Sequence, residues 1–130
     1  MNLESPKSSV DHSAQYLFDS LSDVKNFEKL MPESIAKFEV LGDDAFLFGL
    51  NGMPEIKLKM KEKIAPSTII LGAASDKLPF TLTAKIDAIS ENKSEVQLIF
   101  DGEFNAMMAM MIKGPISKFI ETLSLNMNKL

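Results

Sequence analysis

From residue 34 to about residue 105 apolar and polar side chains alternate with a period of two, and on either side of that stretch the period becomes helical. A period of two sends successive side chains to opposite faces of a strand, so the middle of the chain predicts a sheet with one dry and one wet face. Six strands are expected there. Ala36, Phe38 and Val40 alternate with Lys37 and Glu39, and Gly42-Asp43-Asp44 turns the chain into a strand from Ala45 to Leu50. Asn51-Gly52 predicts a hairpin, because both central residues of a type I′ turn need positive φ. In the strand that follows, Ile56, Leu58 and Met60 point one way, while Lys57, Lys59, Lys61 and Lys63 point the other. Thr68 to Ala74 is apolar on both faces, and Ser75-Asp76-Lys77 turns the chain again. Phe80, Leu82, Ala84 and Ile86 then alternate with Thr81, Thr83, Lys85 and Asp87, and Val96, Leu98 and Phe100 with Glu95, Gln97 and Asp101. Strict alternation of this kind belongs to antiparallel sheets with one solvated face.

The flanks supply what covers the dry face. Residues 2 to 10 contain Pro6 and mostly polar side chains, as an edge strand does when proline blunts its free N–H row. Asp11 or Ser13 can cap a helix whose Ala14, Leu17, Phe18 and Leu21 form one face, and Ser22-Asp23 can cap a second carrying Val24, Phe27, Leu30 and Met31 before Pro32 stops it. From Ala106 to Leu130 a stripe of Ile112, Ile116, Phe119, Leu123, Met127 and Leu130 predicts a long helix. Gly114-Pro115 interrupts it, because Pro115 cannot donate to residue 111 and crowds that carbonyl; a kink or a restarted helix is expected. The expected architecture is α+β. Residues 1–130 form one domain, with a curved antiparallel sheet of about seven strands, two short helices after the first strand, and a long C-terminal helix on the concave face.

Composition narrows the chemistry. The chain has 130 residues, a net charge of −4 and no cysteine, which removes disulfides, thiolate metal sites and thiol nucleophiles. All fourteen basic residues are lysines, so the bidentate arginine fork is missing and nucleic acid is not an expected partner. No stretch is long and apolar enough for a membrane span and no leader is seen, so a cytoplasmic protein is expected. No motif calls for a cofactor or a metal.

The segment Val10-Asp11-His12-Ser13, then Tyr16-Leu17-Phe18, Leu21-Ser22-Asp23-Val24, Phe27 and Leu30-Met31-Pro32 resembles the stretch that leads from the first strand through both helices in the START-like (SRPBCC) superfamily. That superfamily has the helix-grip fold and includes pollen-allergen-type proteins, polyketide cyclases and coenzyme Q-binding proteins. The resemblance extends over the order of elements along essentially the whole chain. It implies a cavity between sheet and C-terminal helix for a sterol, lipid, quinone or polyketide-like molecule. The tight hairpins of this short chain imply a small or filled cavity.

Candidate wall residues follow from the strand faces and the helix. Met108, Met111, Phe119 and Leu123 are expected to face Phe38, Phe48, Leu58, Met60, Leu82, Ala84, Leu98 and Phe100. Five of the nine methionines lie in the last helical segment, where they either fill gaps in the core or adapt to a ligand. Glu62 points into the cavity if the alternation of Ile56, Leu58 and Met60 continues, and would be a usable acid or base there; a bulge would turn it to water. His12, the sole histidine, reads as an exposed first-turn residue, and Tyr16, the sole tyrosine, as a packing residue beside the buried stripe. The lysine row reads as a solvated face offset by acidic residues on neighbouring strands. Binding of a small hydrophobic molecule without catalysis is therefore the expected function. A cyclase or dehydratase and a ligand-free protein-interaction module are the alternatives.

Overall fold

The computed structural model describes residues 2–33, 35–50, 55–73 and 80–130. Strands β1 (Asn2–Glu4) and β2 (Ser8–Val10) precede helix α1 (Ala14–Leu21) and a 3-10 helix at Val24–Leu30. Six strands follow: β3 (Ile35–Val40), β4 (Ala45–Leu50), β5 (Ile56–Ile64), β6 (Thr68–Ala73), β7 (Phe80–Ser90) and β8 (Lys93–Gly102). Helix α2 (Ala106–Leu125) and a short 3-10 turn (Asn126–Lys129) end the chain. The strands form one antiparallel sheet in the order β1-β8-β7-β6-β5-β4-β3, with β2 also paired to β8. The sheet curls into a half-barrel around α2. The turns predicted at Asn51-Gly52 and Ser75-Asp76-Lys77 lie outside the described residues, but the antiparallel pairings β4–β5 and β6–β7 that they imply are present.

The predicted first strand is split. Pro6 has no N–H to give to a ladder, so pairing lapses between Glu4 and Ser8. Ser5 holds the gap closed: its N–H donates to the Leu98 carbonyl at 2.8 Å, and its hydroxyl oxygen accepts the Leu98 N–H at 2.9 Å. The second predicted helix is also different in kind, since Val24–Leu30 is 3-10. Its buried residues Val24, Phe27 and Leu30 are spaced by three, which a helix of 3.0 residues per turn lines up on one face.

The caps are local and conventional. Ser13 accepts the Tyr16 N–H at 3.0 Å and starts α1; Asp23 accepts the Lys25 N–H at 3.0 Å and starts the 3-10 helix. Asn105 accepts the Met108 N–H at 2.8 Å at the start of α2. Gly42, in the β3–β4 turn, has φ 129°, which a side chain would strain.

Helix α2 runs unbroken through Pro115, so the restart does not occur. The cost is one missing hydrogen bond to the Met111 carbonyl, which this exposed face of the helix leaves to solvent. The buried members of α2 begin at Ile112 and run to Ser124. Its end is tied down by polar contacts. Asn126 donates to the Leu30 carbonyl at 2.9 Å, Asn128 accepts the Asp11 N–H at 2.8 Å, and Ser8 donates to Ser124 at 3.2 Å. Among the described residues, no helix is long and apolar enough to cross a membrane.

Replacing Ser5 by Ala leaves the buried Leu98 N–H without its acceptor. A loss of about 1–3 kcal/mol is expected in urea unfolding, with faster amide exchange at Leu98; unchanged stability would mean that Ser5 is not what bridges the split strand.

Candidate functional site

The concave face of the sheet presents alternate residues of each strand to α2, as the period of two requires. Phe46 and Phe48 of β4 lie beside Leu58 and Ile56 of β5, in register. Leu82 of β7 lies between Leu71 of β6 and Phe100 of β8. Over them α2 lays Ile112, Ile116, Phe119, Ile120 and Leu123, all buried. Two sets of stacked rings join helix to sheet. Phe119 stacks on Phe48 with ring centres 4.6 Å apart and planes 9° from parallel. Phe104, just before the helix, stacks on Phe100 at 6.0 Å, and Phe100 in turn meets Phe80 at 4.9 Å.

Between these anchors a small cavity remains, bounded by nine side chains. The sheet contributes Phe48, Ile56, Leu58, Phe80, Leu82 and Phe100, and α2 contributes Ile116, Phe119 and Ile120. Every one is hydrocarbon. The cavity has about 10 Å³ of room for the centre of a water-sized sphere, roughly the space of one water molecule. An apolar lining offers such a water no hydrogen bond, so the space stays dry. Among the described residues, the space left between these side chains is thus small and apolar.

The expected wall residues divide into three groups. Phe48, Leu58, Leu82, Phe100 and Phe119 border the cavity. Ala84, Leu98 and Leu123 are buried elsewhere in the same core, and Phe38, Met60 and Met108 are half-buried against it. Met111 and Glu62 lie outside. Met111 is 64% exposed, because on a helix whose buried line runs through Ile112, Ile116 and Phe119 it falls on the opposite side. Glu62 is turned out by a register shift between Met60 and Glu62: Lys61 is the extra residue, and Glu62 comes to pair with the outward-facing Ile70. The same bulge breaks the lysine row, leaving Lys57, Lys59 and Lys61 on the outer face and reversing Lys63. Among the described residues the ion pairs are Lys7–Glu95, Lys37–Glu39 and Lys37–Glu55, so the row's expected acidic partners are absent.

Ile56, Phe80, Ile116 and Ile120 complete the lining without having been singled out. The first two share the strand faces of Leu58 and Leu82, and Ile120 is four residues from Ile116, so the same periodicities reach all of them. His12 is half-buried just ahead of the helix cap, with its ring 4.4 Å from that of Tyr16 and its Nε2 buried without a partner. Tyr16 is 46% exposed and takes no part in the core, contrary to expectation. Among the described residues, no three acidic, histidine or cysteine side chains gather as a metal site would need. On the outer face a second depression of about 210 Å³ is lined by Lys7, Lys85, Asp87, Glu95, Val96 and Gln97, and it carries both signs of charge.

No family model matches the chain, and no curated protein matches it in sequence. Known structures match it in shape. A START superfamily protein from Mycobacterium smegmatis superposes with a TM-score of 0.71 at 13% identity, covering 98% of this chain and 94% of that one. Norcoclaurine synthase from Thalictrum flavum, in complex with dopamine and hydroxybenzaldehyde, gives 0.69 at 14% identity over 95% of this chain and 84% of that one. A conserved protein from Geobacillus kaustophilus gives 0.69 at 12% identity over 99% and 93%. The chain therefore has the START-like helix-grip fold.

Truncating Phe119 to Ala removes the ring that clamps α2 to β4 and should cost about 3–5 kcal/mol, whereas Met111→Ala should stay within about 0.5 kcal/mol. Guanidinium unfolding of the two variants checks the pair; comparable losses would place Met111 in the core after all.

Proposed function

We propose that this protein holds a small apolar molecule between the sheet and α2 and does not act on it chemically. The observation that carries this reading is the all-hydrocarbon lining under a helix that is fastened at one end. The C-terminal half of α2 is buried and hydrogen-bonded to β2 and the 3-10 helix, while residues 106–111 include no buried side chain. This cavity is too small for any such ligand. Binding then requires the first turns of α2 to lift, drawing Ile116 and Phe119 away from Phe48 and Phe100. The unpaired carbonyl opposite Pro115 lowers the cost of bending there.

The lining also supports a carrier over an enzyme. General acid–base work needs a titratable group within hydrogen-bond reach of the reacting atom, and none of the nine side chains has one. The likeness to norcoclaurine synthase is a likeness of fold, and fold does not transfer a reaction. Sterols, fatty acids, quinones and polyketide-like compounds are the classes such a lining suits, with smaller members favoured by the small space between sheet and helix. One observation favours a second reading: the near-full core suits an interaction module that takes no ligand.

Native mass spectrometry of the protein as purified, before and after denaturing extraction, separates the two. A stoichiometric apolar adduct is expected, and its binding should weaken in Ile120→Trp, which fills the cavity. A clean apo mass, with no thermal shift across a panel of those four classes, overturns the carrier and leaves the interaction module.

A further inference from the structure

The sheet is open, and its two edges are built differently. At one edge β1 and β2 have three residues each and are separated where Pro6 has no N–H to give. At the other edge β3 runs for six residues without a proline, and among the described residues its one strand partner is β4. The phase of that pairing is fixed. The Leu41 N–H donates to the Ala45 carbonyl at 2.9 Å, and the Met60 N–H to the Asp44 carbonyl at 2.7 Å. Continued along the two ladders, this alternation has Leu47 and Gly49 bonding to β3, and Phe46 and Phe48 to β5. On β3 the backbone groups of Lys37 and Glu39 therefore turn to β4, while those of Phe38 and Val40 turn to the free edge.

We infer that this edge pairs with the same edge of a second copy, antiparallel about a two-fold axis at Phe38, so that two sheets become one. An axis must lie near the middle of the strand to pair most of it, which leaves Lys37, Phe38 and Glu39 as positions for it. An axis at Lys37 sets Lys37 opposite its own counterpart, and one at Glu39 does the same for Glu39; like charges directly opposite oppose pairing. The axis at Phe38 does the reverse. Each Lys37 comes opposite the partner's Glu39, in the non-hydrogen-bonded pair where side chains are closest, and the two Phe38 residues exchange both backbone hydrogen bonds. Ala36 comes opposite the partner's Val40, and the register shift between Ile35 and Lys37 ends the ladder there. On the concave side the half-buried Phe38 ring, 5.4 Å from Phe46, gains a second phenyl ring beside it.

The charges favour a second copy over an unrelated extended segment. Any strand can bond to the free backbone groups of Phe38 and Val40, but Ala36-Lys37-Phe38-Glu39-Val40 is complementary to its own reverse. Within the chain Lys37 lies 3.3 Å from Glu55 and 3.8 Å from Glu39, with all three side chains about half exposed. In the pair each Lys37 lies between its own Glu55 and the partner's Glu39, and the charges alternate in sign across the joined strands. Glu33, Asp43 and Asp44 lie in the turns on either side of β3, outside the ladder. Their negative charge and the few residues paired keep the association weak, well below the roughly 1,000 Å² of a stable interface. No residue of β3 borders the cavity under α2, so this inference stands apart from the ligand reading.

Translational diffusion and amide shifts of the isotope-labelled full chain, followed by NMR from about 20 μM to about 1 mM, should show a reversible monomer–dimer equilibrium. A dissociation constant on the order of hundreds of micromolar is expected, with the Phe38 and Val40 amides moving most. Val40→Pro removes an N–H that faces the free edge and leaves the β3–β4 ladder intact, so it should abolish the dimer while the spectrum stays that of a folded chain. The charges give a test that does not touch the backbone. Lys37→Glu and Glu39→Lys should each weaken the homodimer several-fold, and an equimolar mixture of the two variants should dimerise, because every Glu then faces a Lys. A monomer at every concentration overturns the inference, as does a dimer that survives Val40→Pro or a mixture that associates no better than its components. Concentration-dependent shifts centred on residues 107–111 in place of β3 would also overturn it, moving the contact between copies to the exposed methionines of α2.

Discussion

A curved sheet with one apolar face has to be covered, and in this protein the second half of α2 covers it together with α1 and the 3-10 helix. The contact that sets the position of α2 is the nearly parallel stack of Phe119 on Phe48. Phe48 is in register with Phe38 on one side and Ile56 on the other, so the stack joins α2 to three strands at once. The ring of Phe46, one pleat along, continues the contact to Phe27 of the 3-10 helix at 5.0 Å. The 3-10 helix and α2 thus come to rest on adjacent rings of the same strand. Asn126 then closes the triangle through its bond to the Leu30 carbonyl.

That arrangement divides α2 into unequal parts. The half beyond Ile112 has aromatic stacking, aliphatic burial and side-chain hydrogen bonds; the half before it touches the core through Met108 and is preceded by Phe104. Local opening free energies follow the density of such contacts, so the two halves do not share one stability. Pro115 lies close to the division. Its missing hydrogen bond falls at Met111, on the exposed side, where solvent can compensate and where the helix can bend without disturbing the Phe119 stack.

Much of this was legible in the sequence because alternation and helical spacing report directly which side of an element is dry. All six strands of the middle section, the stripe on α2 and five of the cavity-bordering residues follow from those two periods. The failures have physical causes that periodicity does not carry. One inserted residue at Lys61 reverses every side chain beyond it, and nothing in the run from Lys57 to Lys63 announces the insertion. Met111 was misplaced because methionine is apolar wherever it sits; only its angle from Ile112 and Phe119 shows that it faces away. The 3-10 helix was visible in the three-residue spacing of Val24, Phe27 and Leu30, but Met31 fits an α-helical period equally well and concealed it.

Fold and site carry different kinds of information here. Residues that make the helix-grip shape recognisable, such as Ser13, Asp23 and the buried faces of the two short helices, act through caps and packing and would serve any function. What distinguishes this chain is the content of the space those elements enclose. A half-barrel of this kind can be lined with groups that orient and protonate a substrate; among the described residues, the gap under α2 is bordered by phenyl rings and branched aliphatic side chains. Under the proposed binding role, selectivity comes from volume and shape, because hydrocarbon walls discriminate by only about 1–3 kcal/mol per methylene. Ile116 and Ile120 on the helix and Leu58 and Leu82 on the sheet border the residual gap, and a change of one methylene at any of them alters the available space.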